Sequence, residues 1–453
     1  MWYCRMLSIC IVASIIIRPV SAQETSTYQG PIPRITSGFG ADGMFQVDTV
    51  RFPAIGWDSA STGLPLSGMA RNVEVWYPRG STSPRPTLLF AHGFGGNNPN
   101  FYGELLRNCV SRGYTVVFVP YPVSINFASL YRTLDSGFTE AVRRFPMLID
   151  STRIGFAGHS FGAGALPSLA YKAFVQRNWG TRGKFLFSMA PWYSLEISQQ
   201  QLRSFPADTK LIMQIYADDA INDHRMAMDI FLNISIPDDN KDFVTVFADT
   251  VQGYIYEAGH GVCTMNTPTG GRFDAYDYYA VFRLLDALMQ YTFDTTNKAA
   301  KNVALGNGSA EQVSMGSIEG RLIRPLSVTD RPNPLPNAPR PQFQCNQVLN
   351  PRRGFCGLQV LSVTQESQSV RAYIAPQPAS EQVYVRIGLK HPAAVTVSIT
   401  DVLGVEHLHM PLGILNIGEY ECVVPVVAFA NGLYFCHIRT YEYDCTLPLL
   451  IRR

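Results

Sequence analysis

Between Arg71 and Phe293 the apolar positions fall into two alternating kinds of segment. Short unbroken runs, rich in β-branched and aromatic residues, predict buried strands over 72–78, 86–92, 114–119, 153–157, 184–189 and 209–216. A further strand is expected around Tyr254-Ile255-Tyr256. Stretches with apolar residues at helical spacing predict helices over 101–111, 131–145 and 274–291, the first closed by Arg112-Gly113. Such alternation is the mark of an α/β domain, a mainly parallel sheet with helices on both faces. Pro167 falls inside the helix expected after residue 160 and removes one backbone bond, which predicts a kink or an early break.

Beyond Asn297 the pattern dissolves. Residues 299–370 read as a linker, and six prolines between 325 and 341 suggest a stiff extended spacer with few packing contacts. Toward the C-terminus a period of two takes over. Val383–Ile387, Val395–Ile399, Tyr420–Val424 and Leu433–Ile438 alternate with turn signals at Leu403-Gly404, Ile417-Gly418 and Asn431-Gly432. This predicts a small β-sandwich over 371–453.

Composition changes this picture only at the ends. The chain has 453 residues, too many for one ordinary core. A net charge of +2 gives no support to a nucleic-acid or anionic-membrane partner. Arg5, the apolar stretch Leu7–Ile17 and the small residues Val20-Ser21-Ala22 read as a secretory leader over 1–22, too short to span a bilayer. The domain that follows is expected over 23–298, with no membrane span in the mature chain. Export permits disulfides, and Cys345 with Cys356 is the expected bridge. Cys109, Cys263, Cys422, Cys436 and Cys445 sit in largely apolar surroundings and are expected as buried thiols.

The chemistry centres on Gly158-His159-Ser160-Phe161-Gly162, between an apolar strand and a small-residue stretch. Strand, sharp turn and helix around G-x-S-x-G form the nucleophile elbow of an α/β-hydrolase. Glycines flank the serine where a side chain would strike the neighbouring strand or helix. A serine hydroxyl needs an adjacent base held by a carboxylate. In the order Ser, Asp or Glu, His, the candidate bases are His224 and His260. His260, between two glycines and late in the fold, is expected as the base, because His224 stands too close to the acids. Among Asp218, Asp219 and Asp223, the spacing past the strand end favours Asp219, with Asp218 as a turn residue and Asp223 as a helix N-cap. The three aspartates lack the glycine and distal glutamate of a calcium loop, so no metal and no other cofactor is expected. The oxyanion of the tetrahedral intermediate needs preorganised donors. These are expected from the Phe161 amide and from Phe94 in the loop Ala91-His92-Gly93-Phe94-Gly95-Gly96, with His92 structural.

These motifs, with Ile149-Asp150 and Ala190-Pro191-Trp192, resemble the secreted serine esterases of the cutinase-like polyester hydrolase and dienelactone hydrolase groups. That resemblance implies a carboxylesterase acting on apolar, aromatic or polymeric esters through an acyl-enzyme. It also implies an aromatic substrate clamp between Phe94 and Trp192. The chain departs from the polyester hydrolases at Phe161, where they usually carry Met, and along Gly162-Ala163-Gly164. At the C-terminus, Val397–Gly404, Ile417–Tyr420, Asn431–Phe435 and Leu449–Arg453 resemble the sorting domain of the type IX secretion system. This implies export across the outer membrane of a Gram-negative bacterium, with that secretion machinery as partner and an extracellular or surface-attached product. A catalytically silent surface binding protein and a peptidase on the same fold are the alternatives. Because triad, oxyanion loop and closing helix all precede the linker, a chain cut near Asn297 is expected to keep its activity.

Overall fold

The computed structural model describes residues 26–57, 72–265, 271–337, 340–356, 370–389, 391–402, 404–440 and 444–452. The leader, and Leu403 of one expected turn, lie outside them. In chain order the strands of the first part are β1 (Val47–Pro53), β2 (Asn72–Pro78), β3 (Arg85–Ala91), β4 (Thr115–Phe118), β5 (Ile149–His159), β6 (Lys184–Met189), β7 (Lys210–Tyr216) and β8 (Lys241–Val246). Two short hairpins follow, β9 (Asp249–Val251) with β10 (Tyr254–Tyr256) and β11 (Ser317–Ile318) with β12 (Arg321–Leu322), and then β13 (Ser327–Thr329). The main sheet runs β1-β2-β4-β3-β5-β6-β7-β8-β13. It is parallel from β4 through β8 and antiparallel at both ends. The expected strand at Tyr254–Tyr256 exists but pairs only with β9. Its place in the sheet is taken by β8, whose run Lys-Asp-Phe-Val-Thr-Val begins with two charged residues.

The helices are α1 (Gly103–Ser111), α2 (Phe127–Arg144), α3 (Phe161–Tyr171), α4 (Gln199–Arg203), α5 (His224–Asn233), α6 (Arg283–Phe293), α7 (Lys298–Ala304) and α8 (Ala310–Val313). Strand alternation divides the core into two layers. Leu88 and Phe90 of β3 face one cluster with α1 and α6, while Leu89 and Ala91 face the other with α2 and α3. Helix α2 begins earlier than its apolar period suggests, because the Asn126 side chain accepts from the Ser129 amide and caps it. Pro167 does not break α3, which continues to Tyr171 and then widens into a π turn over Lys172–Gln176. Its neighbours Ala165, Leu166, Leu169 and Ala170 are all buried, and that packing outweighs one lost bond.

The segment expected as linker corrects the sequence reading: its described residues before and after the prolines are packed on the first part, while most positions between 325 and 341 are exposed or half-buried. Val303, Leu305, Met315, Ile323 and Leu326 are buried in the α1–α6 cluster, and β13 pairs with β8 as the ninth strand. Arg352 makes a buried two-pronged ion pair with Asp229 of α5, at 2.6 and 2.8 Å. Cys345 and Cys356 form the expected disulfide. Proline fixes φ and removes a donor, yet it leaves the intervening side chains free to pack.

The C-terminal strands are β14 (Val370–Ala375), β15 (Gln382–Leu389), β16 (Ala393–Asp401), β17 (Glu406–Leu415), β18 (Gly418–Pro425), β19 (Gly432–Arg439) and β20 (Asp444–Ile451). They form two antiparallel sheets, β14-β15-β18 and β17-β16-β19-β20. Val383, Val385 and Ile387 of one meet Val397, Ile399, Ile438 and Leu447 of the other in a single core. Of the expected buried thiols, Cys109, Cys263, Cys436 and Cys445 are buried, and Cys422 is only half-buried.

Candidate active site

Ser160 stands between β5 and α3, as the N-cap of the helix, with φ 54° and ψ −119°, a backbone that L-residues rarely adopt. Close packing explains the two glycines of the motif. A Cβ on Gly162 would stand 2.1 Å from the Ala91 carbonyl oxygen, and one on Gly158 would stand 2.9 Å from the same atom. The turn therefore lifts the serine above the carboxyl edge of the sheet. His260 Nε2 lies 2.9 Å from Ser160 Oγ. His260 Nδ1 lies 2.8 Å from Asp219 Oδ2, and the other Asp219 oxygen accepts from the amides of Ile221 and Asn222. Burial acts to raise the Asp219 pKa, but the His260 contact and these amides prevail and hold it below the usual carboxylate range.

The other candidates separate cleanly. Asp218 is exposed. Asp223 caps α5, accepting from the Arg225 amide, and pairs with the Arg225 guanidinium. His224 is buried with Nε2 on the Tyr216 carbonyl. Among the described residues no three His, Cys, Asp or Glu side chains are grouped to hold a metal ion.

The glycine-rich loop His92–Gly96, expected to supply an oxyanion donor, follows β3. His92 Nε2 accepts from the Tyr121 amide, so its Nδ1–H donates to the Gly93 carbonyl at 2.7 Å. The Gly96 amide donates to the same carbonyl at 2.8 Å. That carbonyl and the Phe94 N–H belong to one planar peptide, so pinning the oxygen directs the N–H the opposite way. Burial pushes His92 down to about 3, which keeps it neutral. The Phe161 amide, first in α3, has no acceptor within the helix. A cleft of about 280 Å³ lies over the serine, walled by Phe94, Phe101, Tyr102, His159, His260 and Thr264.

The expected clamp is not built. Phe94 is half exposed on the cleft, but Trp192 is 7% exposed and enclosed by the rings of Phe127, Phe161, Tyr193 and Phe343. Phe343 comes from the segment expected to be linker, and it helps to cover the indole.

Three polar residues of the site were not legible in the sequence. The Asn222 amide donates to the Ala190 carbonyl at 2.8 Å and reaches 3.5 Å from Ser160 Oγ. Ala190 itself has φ 45°. Asn337 holds the acid loop, its amide donating to the Asp219 and Asn222 carbonyls. Tyr102 hydrogen-bonds to His159 beneath the cleft. Asn222 lies three positions from Asp219, but nothing in the spacing marks it as polar by design. No protein-family model matches this chain, and no curated protein matches it.

Proposed function

We propose that the chain is a secreted serine hydrolase that cleaves apolar, aromatic or polymeric carboxylic esters. The observation that carries this reading is the array Ser160 Oγ, His260, Asp219 at 2.9 and 2.8 Å, with the serine on a strained turn. His260 Nε2 takes the Ser160 proton as Oγ attacks the ester carbonyl. Asp219 accepts from Nδ1–H, holds the productive tautomer and stabilises the imidazolium. The Phe94 and Phe161 amides bind the oxyanion. His260 then returns its proton to the leaving alcohol, and water repeats the sequence on the acyl-enzyme. No step calls for a metal or an organic cofactor. The half-exposed Phe94 and the cleft beside it favour an apolar acyl or alcohol group. The leader and the tail resemblance support export, with the C-terminal sheets as an address for a type IX machinery.

Labelling with a fluorophosphonate, beside a series of p-nitrophenyl esters, tests the proposal. Covalent capture abolished by Ser160→Ala, with turnover of the esters, is the expected result. An unlabelled, inactive folded protein would instead leave a silent binding module. Cleavage of peptides in preference to esters would make it a peptidase.

A further inference from the structure

The serine's immediate neighbour, His159, is buried and takes no part in the proton path above, yet both of its ring nitrogens are engaged. Nε2 lies 2.8 Å from the His260 carbonyl oxygen, and Nδ1 lies 3.0 Å from the Tyr102 hydroxyl. A carbonyl oxygen only accepts, so Nε2 carries the hydrogen. Burial, reinforced by neighbouring His260, pushes His159 down to about 3, so the ring is neutral and has one N–H to give. Nδ1 must then accept, and Tyr102 O–H donates to it. The Tyr102 oxygen in turn accepts from the Gly93 amide at 2.9 Å. Every direction in the chain is set: Gly93 N–H to Tyr102, Tyr102 O–H to His159, His159 N–H to the His260 carbonyl.

The two ends of this chain are the two halves of the catalytic apparatus. Gly93 sits one peptide before the Phe94 amide, and its own carbonyl is already pinned by His92 and Gly96. His260 is the base, held through its side chain by Asp219 and through its main chain by His159. The imidazoles of His159 and His260 lie with centroids 4.7 Å apart. Tyr102 and His159 are both within 4% of full burial, and each ring nitrogen or oxygen of the relay has a partner.

We infer that Tyr102 and His159 are positioning residues, a buried relay that holds the oxyanion loop and the catalytic histidine in register with each other. The inference rests on the hydrolase reading. Neither residue exchanges a proton with substrate. Their effect is exerted through the placement of the Phe94 amide and of His260, and misplacement of about 1 Å at such groups costs on the order of 10²-fold in rate. A relay acts as one unit, so cutting it at either link gives most of the loss.

The test uses the full chain with Tyr102→Phe, which keeps the ring, and His159→Gln, which keeps an amide donor. A double variant completes the cycle, and kcat and KM are measured separately on a short p-nitrophenyl ester beside thermal melts. The expected result is a kcat lower by roughly 10- to 100-fold in each single variant with KM within about twofold. The double variant should lie within about threefold of the worse single. Unchanged kcat in a folded Tyr102→Phe protein overturns the inference. So do losses that multiply independently, or a loss carried by KM alone, which is what cleft lining by itself produces. Should Tyr102→Phe fail to fold, His159→Gln decides alone by the same split. The readout also separates this inference from the one beneath it. A wild-type chain that neither reacts with fluorophosphonate nor turns over ester sinks the hydrolase reading and the relay together. An active wild type with active variants sinks the relay only.

Discussion

Replacing Arg352 by Met removes a guanidinium from a site where it is 5% exposed, while the flexible side chain keeps much of the packing. Among the described residues, Asp229 then stays buried with one side-chain donor, the Asn233 amide at 2.9 Å. Breaking one side of a buried ion pair costs about 3–5 kcal/mol. For a body of roughly 300 residues the unfolding entropy is about 0.6 kcal/mol/K, so the melting temperature should fall by about 5–8 °C. The loss should depend on pH. Burial already holds Asp229 above the usual carboxylate range against the pull of Arg352, and without that pull it rises further. A carboxyl whose folded pKa exceeds its unfolded value binds a proton preferentially in the folded state. Acid therefore relieves the variant, and the deficit is largest near pH 8 and shrinks toward pH 5. Calorimetric melts of the two proteins at both pH values provide the assay. A drop below about 1.5 °C at pH 8 would mean that residues 350–356 are not packed on α5. The segment that carries Arg352 would then be a true spacer.

Ser160→Ala and His260→Ala should each lower ester turnover by on the order of 10⁴ to 10⁶, and Asp219→Asn by roughly 10³ to 10⁴. A larger loss from Asp218→Asn or His224→Ala in the same assay would reassign the triad. A chain ending at Asn297 should not fold, since it loses β13, the Asn337 contacts with the acid loop and Arg352; one ending at Cys356 should keep its activity on soluble esters. Soluble expression and circular dichroism of both truncations decide it, and an active 297-residue form would refute the packing argument. His92 is buried neutral with its pKa held down to about 3, whereas an unfolded imidazole titrates near about 6.5. Below that value the unfolded chain binds more protons, so stability supplied by neutral His92 is present above about pH 6.5 and lost as pH falls toward 3. In urea titrations the stability difference between the chain and His92→Gln should shrink by up to about 1.4 kcal/mol per pH unit in that window. A difference that stays flat from pH 7 to pH 5 would contradict it.

What the chain's pattern determined by itself was local. Unbroken apolar runs placed β2 to β7 and helical spacing placed α1, α2 and α6, because burial on both faces of a sheet makes every strand position apolar while burial on one side of a helix recurs roughly every three to four residues. Two glycines around Ser160 foretold a turn with no room for a side chain, and the spacing past β7 singled out Asp219 from three aspartates. In the C-terminal part a period of two marked β15, β16, β18 and β19 but not β14, β17 and β20, which complete the two antiparallel sheets. Tertiary structure alone decided the rest. Tyr102 meets His159 across 57 positions, Asn337 meets Asp219 across 118, and Arg352 meets Asp229 across 123. Trp192, expected on the cleft, is covered by Phe343 from the segment whose prolines argued against packing. Periodicity reports only which face of its own element a residue occupies. Partners so far apart are chosen by how several elements close on one another, and no local pattern carries that information.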